Sequence, residues 1–213
     1  KLNLKNPEVE KFITDVACYW IRECDIDGWR MDVGDEISHF FWKNFRKAVK
    51  AVKKDMLIIG EIWHYAGDFL EGDEWDTVMN YPFYLNMIDL LADEKITVSQ
   101  FIQNLGYLKG RLNKKCYPLM WNLIDSHDTA RFLHLCKNNK KKQHLAAAFQ
   151  LLLPGMPMIY YGDEYAMPGA NDPDCRRGMY WDEEYQDKEM FEWYKQLLQV
   201  RKKYKCIVEG ELI

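Results

Sequence analysis

Residues 27–36 read DGWRMDVGDE, and this short strand-like stretch is the part of the sequence that most strongly indicates the fold. Arg30 and Asp32 are two positions apart in it, so both side chains point to the same face of a strand. An arginine beside an aspartate on an inward face is costly in a purely structural core. The pair makes sense as a site in which the guanidinium keeps the carboxylate ionised and fixes its orientation.

Helical and strand patterns alternate on both sides of this stretch. Asn6 and Pro7 are suited to the start of a helix before it, and Ser38 is suited to cap a helix after it. We expect further strands at 56–59, 76–81, 119–124 and 156–161, and further helices at 82–92, from 97 onward, at 141–153 and at 187–204. This alternation predicts an α/β fold, with a parallel sheet and helices outside it.

Four of the five predicted strands are followed by an acidic residue: Asp32, Glu61, Asp128 and Asp163. Sites in parallel α/β folds form at the carboxyl ends of the strands. Paired carboxylates suggest glycoside hydrolysis, in which one attacks the anomeric carbon and the other protonates the leaving oxygen. The pattern alone leaves this open, because acidic residues are common at strand ends.

Three strings resemble the α-amylase family of glycoside hydrolases and occur in the family's order. Residues 27–36 resemble its nucleophile segment, and residues 59–64, IGEIWH, its acid/base segment. Residues 122–132, NLIDSHDTARF, resemble its third acidic segment. Residues 73–83, DEWDTVMNYPF, and 172–182, DPDCRRGMYWD, are similar to cyclomaltodextrinases, neopullulanases and maltogenic amylases.

The resemblance implies a role for each motif residue. Asp32 would be the nucleophile, Glu61 the general acid and then the base, and Asp128 would grip sugar hydroxyls and favour the transition state. The implied substrate-binding residues are Arg30, His127, Glu36, Trp63, His64, Asp172 and Arg176.

Plainer roles stay open for some of these residues. Core packing is the alternative for Trp63, and a surface ion pair is the alternative for Asp172 and Arg176. Gly34 and Asp35 stand where the family more commonly has Ala and Asn.

The resemblance also implies that the chain holds the C-terminal five units, strands 4 to 8, of a TIM (β/α)₈ barrel that is incomplete here. Residues 1–206 would form this partial barrel, and residues 207–213 would lead into a C-terminal β domain. The family's D-x-V-x-N-H segment is absent from the sequence and is expected before Lys1.

The amino-acid composition limits the kinds of partner that the protein is expected to bind. The 213 residues include 29 basic and 33 acidic ones, for a net charge of −4, which disfavours nucleic acid and anionic membranes as main partners. The six cysteines form no C-x-x-C pair, which excludes a zinc ribbon or a thioredoxin-like motif. A domain of this size does not need disulfides, so reduced thiols are expected, and the predicted location is cytoplasmic.

An α-glucan is the partner that the resemblance implies, and a homo-oligomer is compatible with it. No cofactor or metal site is expected from the sequence. Some relatives bind calcium, but no ligands for it are identified here.

Two other interpretations compete with an active hydrolase. The chain could be a catalytically inactive sugar-binding or structural fragment of such an enzyme. It could also be an open, doubly wound sheet with an aspartate-based phosphate site, although this leaves the strings around Glu61 and His127 unexplained.

Overall fold

The computed structural model describes residues 2–210 of the chain. They form two compact units, one extending to Met79 and the other beginning at Asn80.

The first unit contains a parallel sheet flanked by helices. Its described elements are α1 (Pro7–Cys24), β1 (Gly28–Met31), α2 (His39–Val52), β2 (Leu57–Gly60) and β3 (Thr77–Val78). The strand order is β1-β2-β3, and all pairings are parallel. Met31 lies beside Gly60 in the register, so β1 and β2 end at the same level.

The helix starts follow the sequence signals. The Asn6 side chain accepts a hydrogen bond from the Glu8 amide, and Pro7 occupies the first helical position. The Ser38 hydroxyl accepts from the Phe41 amide at 3.4 Å. These N-cap predictions are confirmed, since each side chain accepts from a backbone N–H that has no partner within the helix.

Trp75 lies at the centre of the first unit's core. It is fully buried, stacks on Phe69 with ring centroids 4.2 Å apart, and meets the edge of Trp42 at 5.7 Å. Its ring fills the space above two glycines. A Cβ at Gly34 would lie 2.6 Å from the ring, and one at Gly60 would overlap it.

The apolar face of α1 is only partly buried. Ala17 and Ile21 are buried, whereas Phe12 is 63% exposed and Trp20 is 45% exposed. Trp20 therefore lies at the surface, whereas Trp42, on α2, is buried.

The second unit contains a shorter parallel sheet, in which β4 pairs with β5. Its described elements are α3 (Tyr81–Met87), α4 (Val98–Arg111), β4 (Trp121–Asn122), α5 (Phe132–Leu135), α6 (Lys140–Leu152), β5 (Met156–Pro157), α7 (Lys188–Lys203) and α8 (Cys206–Glu209). One apolar cluster packs α3 and α4 against α5 and α6, and another packs α5 and α6 against α7.

Several predicted boundaries differ in the second unit, including those at α3 and α8. The helix expected at 82–92 ends as α3 at Met87 and continues as a wider turn of π-helix, Ile88–Ala92. The expected lead-in at 207–213 begins inside α8, and residues 211–213 lie outside the described residues.

None of the helices between residues 2 and 210 combines the length and the apolar character that a membrane span requires.

Candidate active site

The ends of β1 and β2 bring Arg30, Asp32 and Glu61 together. Arg30 Nη1 donates to Asp32 Oδ1 at 2.5 Å, and Arg30 Nη2 lies 3.0 Å from Glu61 Oε2. The Asp32 side chain is 76% exposed, whereas that of Glu61 is 5% exposed. One guanidinium therefore contacts an open carboxylate and a buried one.

The backbone after Asp32 also points at Glu61. Val33 has a φ of 45°, in the left-handed region that β-branched residues rarely adopt. In this conformation its N–H donates to Glu61 Oε2 at 2.9 Å. Gly34 N–H donates to the Glu61 carbonyl at 3.2 Å. The strained residue thus supplies a hydrogen bond that holds the buried carboxyl in place.

Trp63 lies beside the same carboxyl. Its Nε1 is 3.3 Å from Glu61 Oε1, and the residue is 43% exposed. Plain core packing therefore does not describe Trp63. The open indole face is the kind of flat apolar surface on which a sugar ring can stack.

Glu36 and His64 lie further along the same two loops. Glu36 ends a short 3₁₀ turn, Gly34–Glu36, and is exposed. His64 is also exposed, and its Nδ1 is 4.0 Å from Asp35 Oδ2. The Asp35 contact links the loop after β1 to the loop after β2.

The second unit brings His127, Asp128, Asp172 and Arg176 together. His127 Nε2 lies 3.0 Å from Asp128 Oδ2. Arg176 reaches Asp128 Oδ1 through Nη2 at 3.0 Å and Asp172 Oδ1 through Nε at 2.8 Å. Arg176 therefore does more than form a surface pair with Asp172, because it also holds Asp128.

The turn that carries His127 and Asp128 is tied by small polar side chains. Ser126 N–H donates to Thr129 Oγ1 at 2.9 Å, and Asp128 N–H donates to Ser126 Oγ at 3.2 Å. Ser126 and Thr129 were not among the predicted site residues. The signal was present, since Ser and Thr hydroxyls commonly close turns through nearby backbone groups.

Asp163 does not lie at an open strand end. The residue is 1% exposed and belongs to a buried cluster with Asp125 and Arg131. The expectation that it joins the other acidic residues at the rim is wrong, because the chain turns inward after β5 and buries it.

The donor groups give no support for a metal site. Within residues 2–210 no group of three or more His, Cys, Asp and Glu side chains is arranged to hold a metal ion.

Comparison with known families identifies the chain. The α-amylase catalytic domain family matches residues 1–186. The chain belongs to the α-amylase family. This is a TIM-barrel family, and the α/β content of the chain agrees with part of such a fold. Membership overturns the interpretation as a doubly wound sheet with a phosphate site.

The curated relatives of this α-amylase family chain include cyclomaltodextrinases, maltogenic amylases and a neopullulanase. It is 48% identical over 212 residues to a cyclomaltodextrinase of Geobacillus thermopakistaniensis (strain MAS1), covering 100% of this chain and 36% of that protein. It is 46% identical to an intracellular maltogenic amylase of Bacillus subtilis and 44% identical to neopullulanase 2 of Thermoactinomyces vulgaris, with 100% of this chain and 36% of each protein covered.

A solved structure of a similarly named protein also resembles this chain. A cyclomaltodextrinase structure superposes with a TM-score of 0.95 at 42% identity, covering 97% of this chain and 36% of that one. The chain thus spans about a third of the length of the curated relatives that it matches.

Proposed function

We propose that the protein is a retaining glycoside hydrolase that cleaves α-1,4-glucosidic bonds in cyclodextrins, maltooligosaccharides, pullulan or starch. The observation that carries this proposal is the contact of one Arg30 guanidinium with both Asp32 and Glu61. This arrangement is compatible with the carboxyl separation of roughly 5–5.5 Å that retaining enzymes need. The names of the relatives support the substrate class.

The proposal includes a position for the chain within the barrel. Strands β1 to β5 would be the fourth to eighth strands, residues 1–206 the partial catalytic barrel, and residues 207–213 a lead-in to a β domain. The order of the three motifs and the parallel strand pairing within each unit support this assignment.

The proposed chemistry has two steps. Asp32 attacks the anomeric carbon while Glu61 protonates the departing glycosidic oxygen, so the C–O bond breaks and a β-glucosyl ester forms on Asp32. Glu61 then takes a proton from water, whose oxygen displaces Asp32 and yields the α-anomer. The high exposure of Asp32 suits attack on a bound sugar, and the contact with Arg30 fixes the orientation of its carboxyl group.

The remaining motif residues would bind the sugar chain. Asp128 would grip hydroxyls of the reacting glucose, with His127 bonding another hydroxyl beside it. Asp172 and Arg176 would contact the sugar on the non-reducing side. Glu36, Trp63 and His64 would serve the leaving-group side, where the exposed Trp63 face offers a stacking surface.

The partners follow from the same chemistry. We propose an α-glucan as the partner, with no role for nucleic acid or a membrane surface, and a homo-oligomer is compatible with this function. A cytoplasmic location is supported by free thiols at the six cysteines and by the 46% identical relative that is named intracellular.

The test is Asp32→Asn in the full-length protein, assayed on a cyclodextrin. We expect the loss of at least about 10⁴-fold in kcat, since a neutral amide cannot form the ester. Asp55→Asn, at an exposed turn before β2, is the matched control and should retain activity. Retained turnover in the Asp32 variant would contradict the assignment.

Two further measurements separate the alternatives. NMR of the initial product of the wild type should show the α-anomer, and a β-anomer would exclude retention. Assaying the 213-residue chain alone tests the inactive-fragment alternative, because activity at the level of the full-length protein would refute it.

A further inference from the structure

A second pair of carboxyl groups is buried beneath the turn that carries His127 and Asp128. Asp125 and Asp163 are each 1% exposed, and their carboxyl groups lie close enough to interact directly. Asp125 begins the turn, and its Oδ2 accepts from Phe132 N–H at 2.7 Å. The Asp125 side chain therefore links the start of the turn to the first residue of α5.

One cation faces these two acids. Arg131 Nη1 lies 3.4 Å from Asp163 Oδ1, which is longer than the roughly 2.7–2.9 Å of a strong charge-assisted hydrogen bond. The guanidinium also donates to the carbonyls of Cys175 and Tyr161 and packs over the rings of Tyr160 and Tyr161. One shared guanidinium leaves two buried negative charges incompletely compensated.

The other groups around the pair add no positive charge. Tyr84 on α3 faces Asp125, whereas Glu164 faces Asp163, and Tyr194 on α7 is near both. Gln143 on α6 donates to the Asp163 carbonyl at 3.0 Å. An ionised Asp163 would therefore be repelled by the negative charges of Glu164 and Asp125. This repulsion favours a proton on the pair.

One oxygen atom of each acid is free to share this proton. Asp125 Oδ1 and Asp163 Oδ2 are buried, and neither receives a hydrogen bond from another N–H or O–H group of residues 2–210. Two bare carboxylates would repel each other here, whereas a proton on one acid turns the contact into a strong hydrogen bond.

We propose that Asp163 is a positioning residue, which carries a proton that it donates in a hydrogen bond to Asp125 and so fixes the turn that presents His127 and Asp128. The inference rests on the proposed function, since it assigns Asp163 an effect on sugar hydrolysis through Asp128. Asp163 is 1% exposed, so its effect would reach the substrate only through the turn.

The protonated state has a measurable consequence for stability. Burial, and then the charge of Asp125, raise the pKa of Asp163 well above its ordinary value. Its contribution to stability is then full below the unfolded pKa of about 3.9 and is lost as the pH rises through the higher folded pKa. Asp163→Asn is neutral at every pH and escapes this loss.

The first test is the Tm of the full-length wild type and of Asp163→Asn between pH 5 and 9. We expect the Tm of the variant relative to the wild type to rise by at least about 2 °C across this range. An ionised Asp163 paired with Arg131 would give a variant that is less stable throughout, with no such rise. A flat or falling difference would overturn the proposal.

The second test compares Asp163→Asn with Asp163→Leu, whose side chain has the same branched heavy-atom skeleton but no hydrogen-bond donor. On a cyclodextrin at pH 7, Asn should stay within about threefold of wild type, whereas Leu should lower kcat at least tenfold with little change in KM. Rescue by Asn is the readout that a merely structural role would not give. Full activity in the Leu variant, or equal loss in both, would overturn the proposal.

Amide hydrogen exchange separates this inference from the proposed function. Exchange at 126–132 should be faster in Asp163→Leu than in Asp163→Asn, whether or not the wild type hydrolyses the sugar. Equal exchange in the two variants would overturn the positioning role. If Leu does not fold, the Tm test and the exchange of the Asn variant against wild type decide. A wild type inactive on all α-glucans refutes only the proposed function.

Discussion

Arg176 joins two carboxylates that are far apart in the sequence. Its Nε contacts Asp172 at 2.8 Å and its Nη2 contacts Asp128 at 3.0 Å. A guanidinium can do this because its donors point in fixed, different directions from one plane. The ammonium of lysine is a compact point charge and cannot hold both acids in the same geometry.

Replacing Arg176 with Lys should therefore lower kcat/KM on a cyclodextrin. The side chain is 45% exposed, so we expect a loss of about 1 kcal/mol, which corresponds to about fivefold. The matched control is Arg177→Lys, because Arg177 pairs instead with Asp174 at 2.6 Å. An equal loss in both variants would mean that the Asp128 contact has no particular effect.

The sequence allows some of these residue contacts to be predicted and hides others. Arg30 and Asp32 were expected to meet because residues two apart on a strand share a face. Arg176 and Asp128 are 48 positions apart, so their contact depends on how the loop after β5 folds back. The predicted position of Asp163 was wrong for the same reason, since the burial of this residue depends on that loop and not on the strand before it.

At the scale of elements, a glycine and a tryptophan fit together at the base of the loop after β1. A Cβ at Gly34 would lie 2.6 Å from Trp75 Cζ2. Trp42 Nε1 donates to the Gly34 carbonyl at 2.9 Å, so this backbone segment cannot easily move away. The buried indole ring thus accounts for the glycine.

Gly34→Ala should lower the free energy of unfolding by about 1–3 kcal/mol, because the new methyl group overpacks a filled core. The measurement is urea denaturation of the full-length protein. Gly106→Ala is the matched control, since Gly106 lies inside α4 with open space at its Cβ position and should gain about 0.5–1 kcal/mol.

A double-mutant cycle identifies the cause of this destabilisation. The Gly34→Ala change should cost less in a Trp75→Phe background, where the smaller ring leaves room for the methyl group. An unchanged cost in that background would show that overlap with Trp75 is not the reason.

Helix starts were easier to predict than strand ends. The capping box of Thr97 and Gln100 is local chemistry and forms at the start of α4, where a helix was expected. The strand predicted at 119–124 is shorter, because β4 spans Trp121–Asn122. Leu123 and Ile124 are fully buried yet belong to the turn that follows. An apolar run in the sequence therefore indicates burial, but not how many residues pair with the neighbouring strand.

At the scale of the whole chain, the cysteines provide a test of the packing of both units. The six cysteines all lie within the described residues, and all are free. Cys24 and Cys206 are exposed, whereas Cys18, Cys116, Cys136 and Cys175 are buried. Burial raises the pKa of Cys136 to about 11, which keeps it in the unreactive thiol form at neutral pH.

In the native chain, a disulfide-exchange reagent should therefore modify Cys24 and Cys206 in a fast phase, and the four buried thiols should react only as fast as the structure opens. In denaturant without reductant, all six should react at once, because no disulfide has to be broken. The Cys24→Ser/Cys206→Ser variant is the control and should lose the fast phase alone. Fewer reactive thiols in the denatured wild type would reveal a disulfide, whereas a fast phase of more than two thiols in the native chain would contradict the burial of the four.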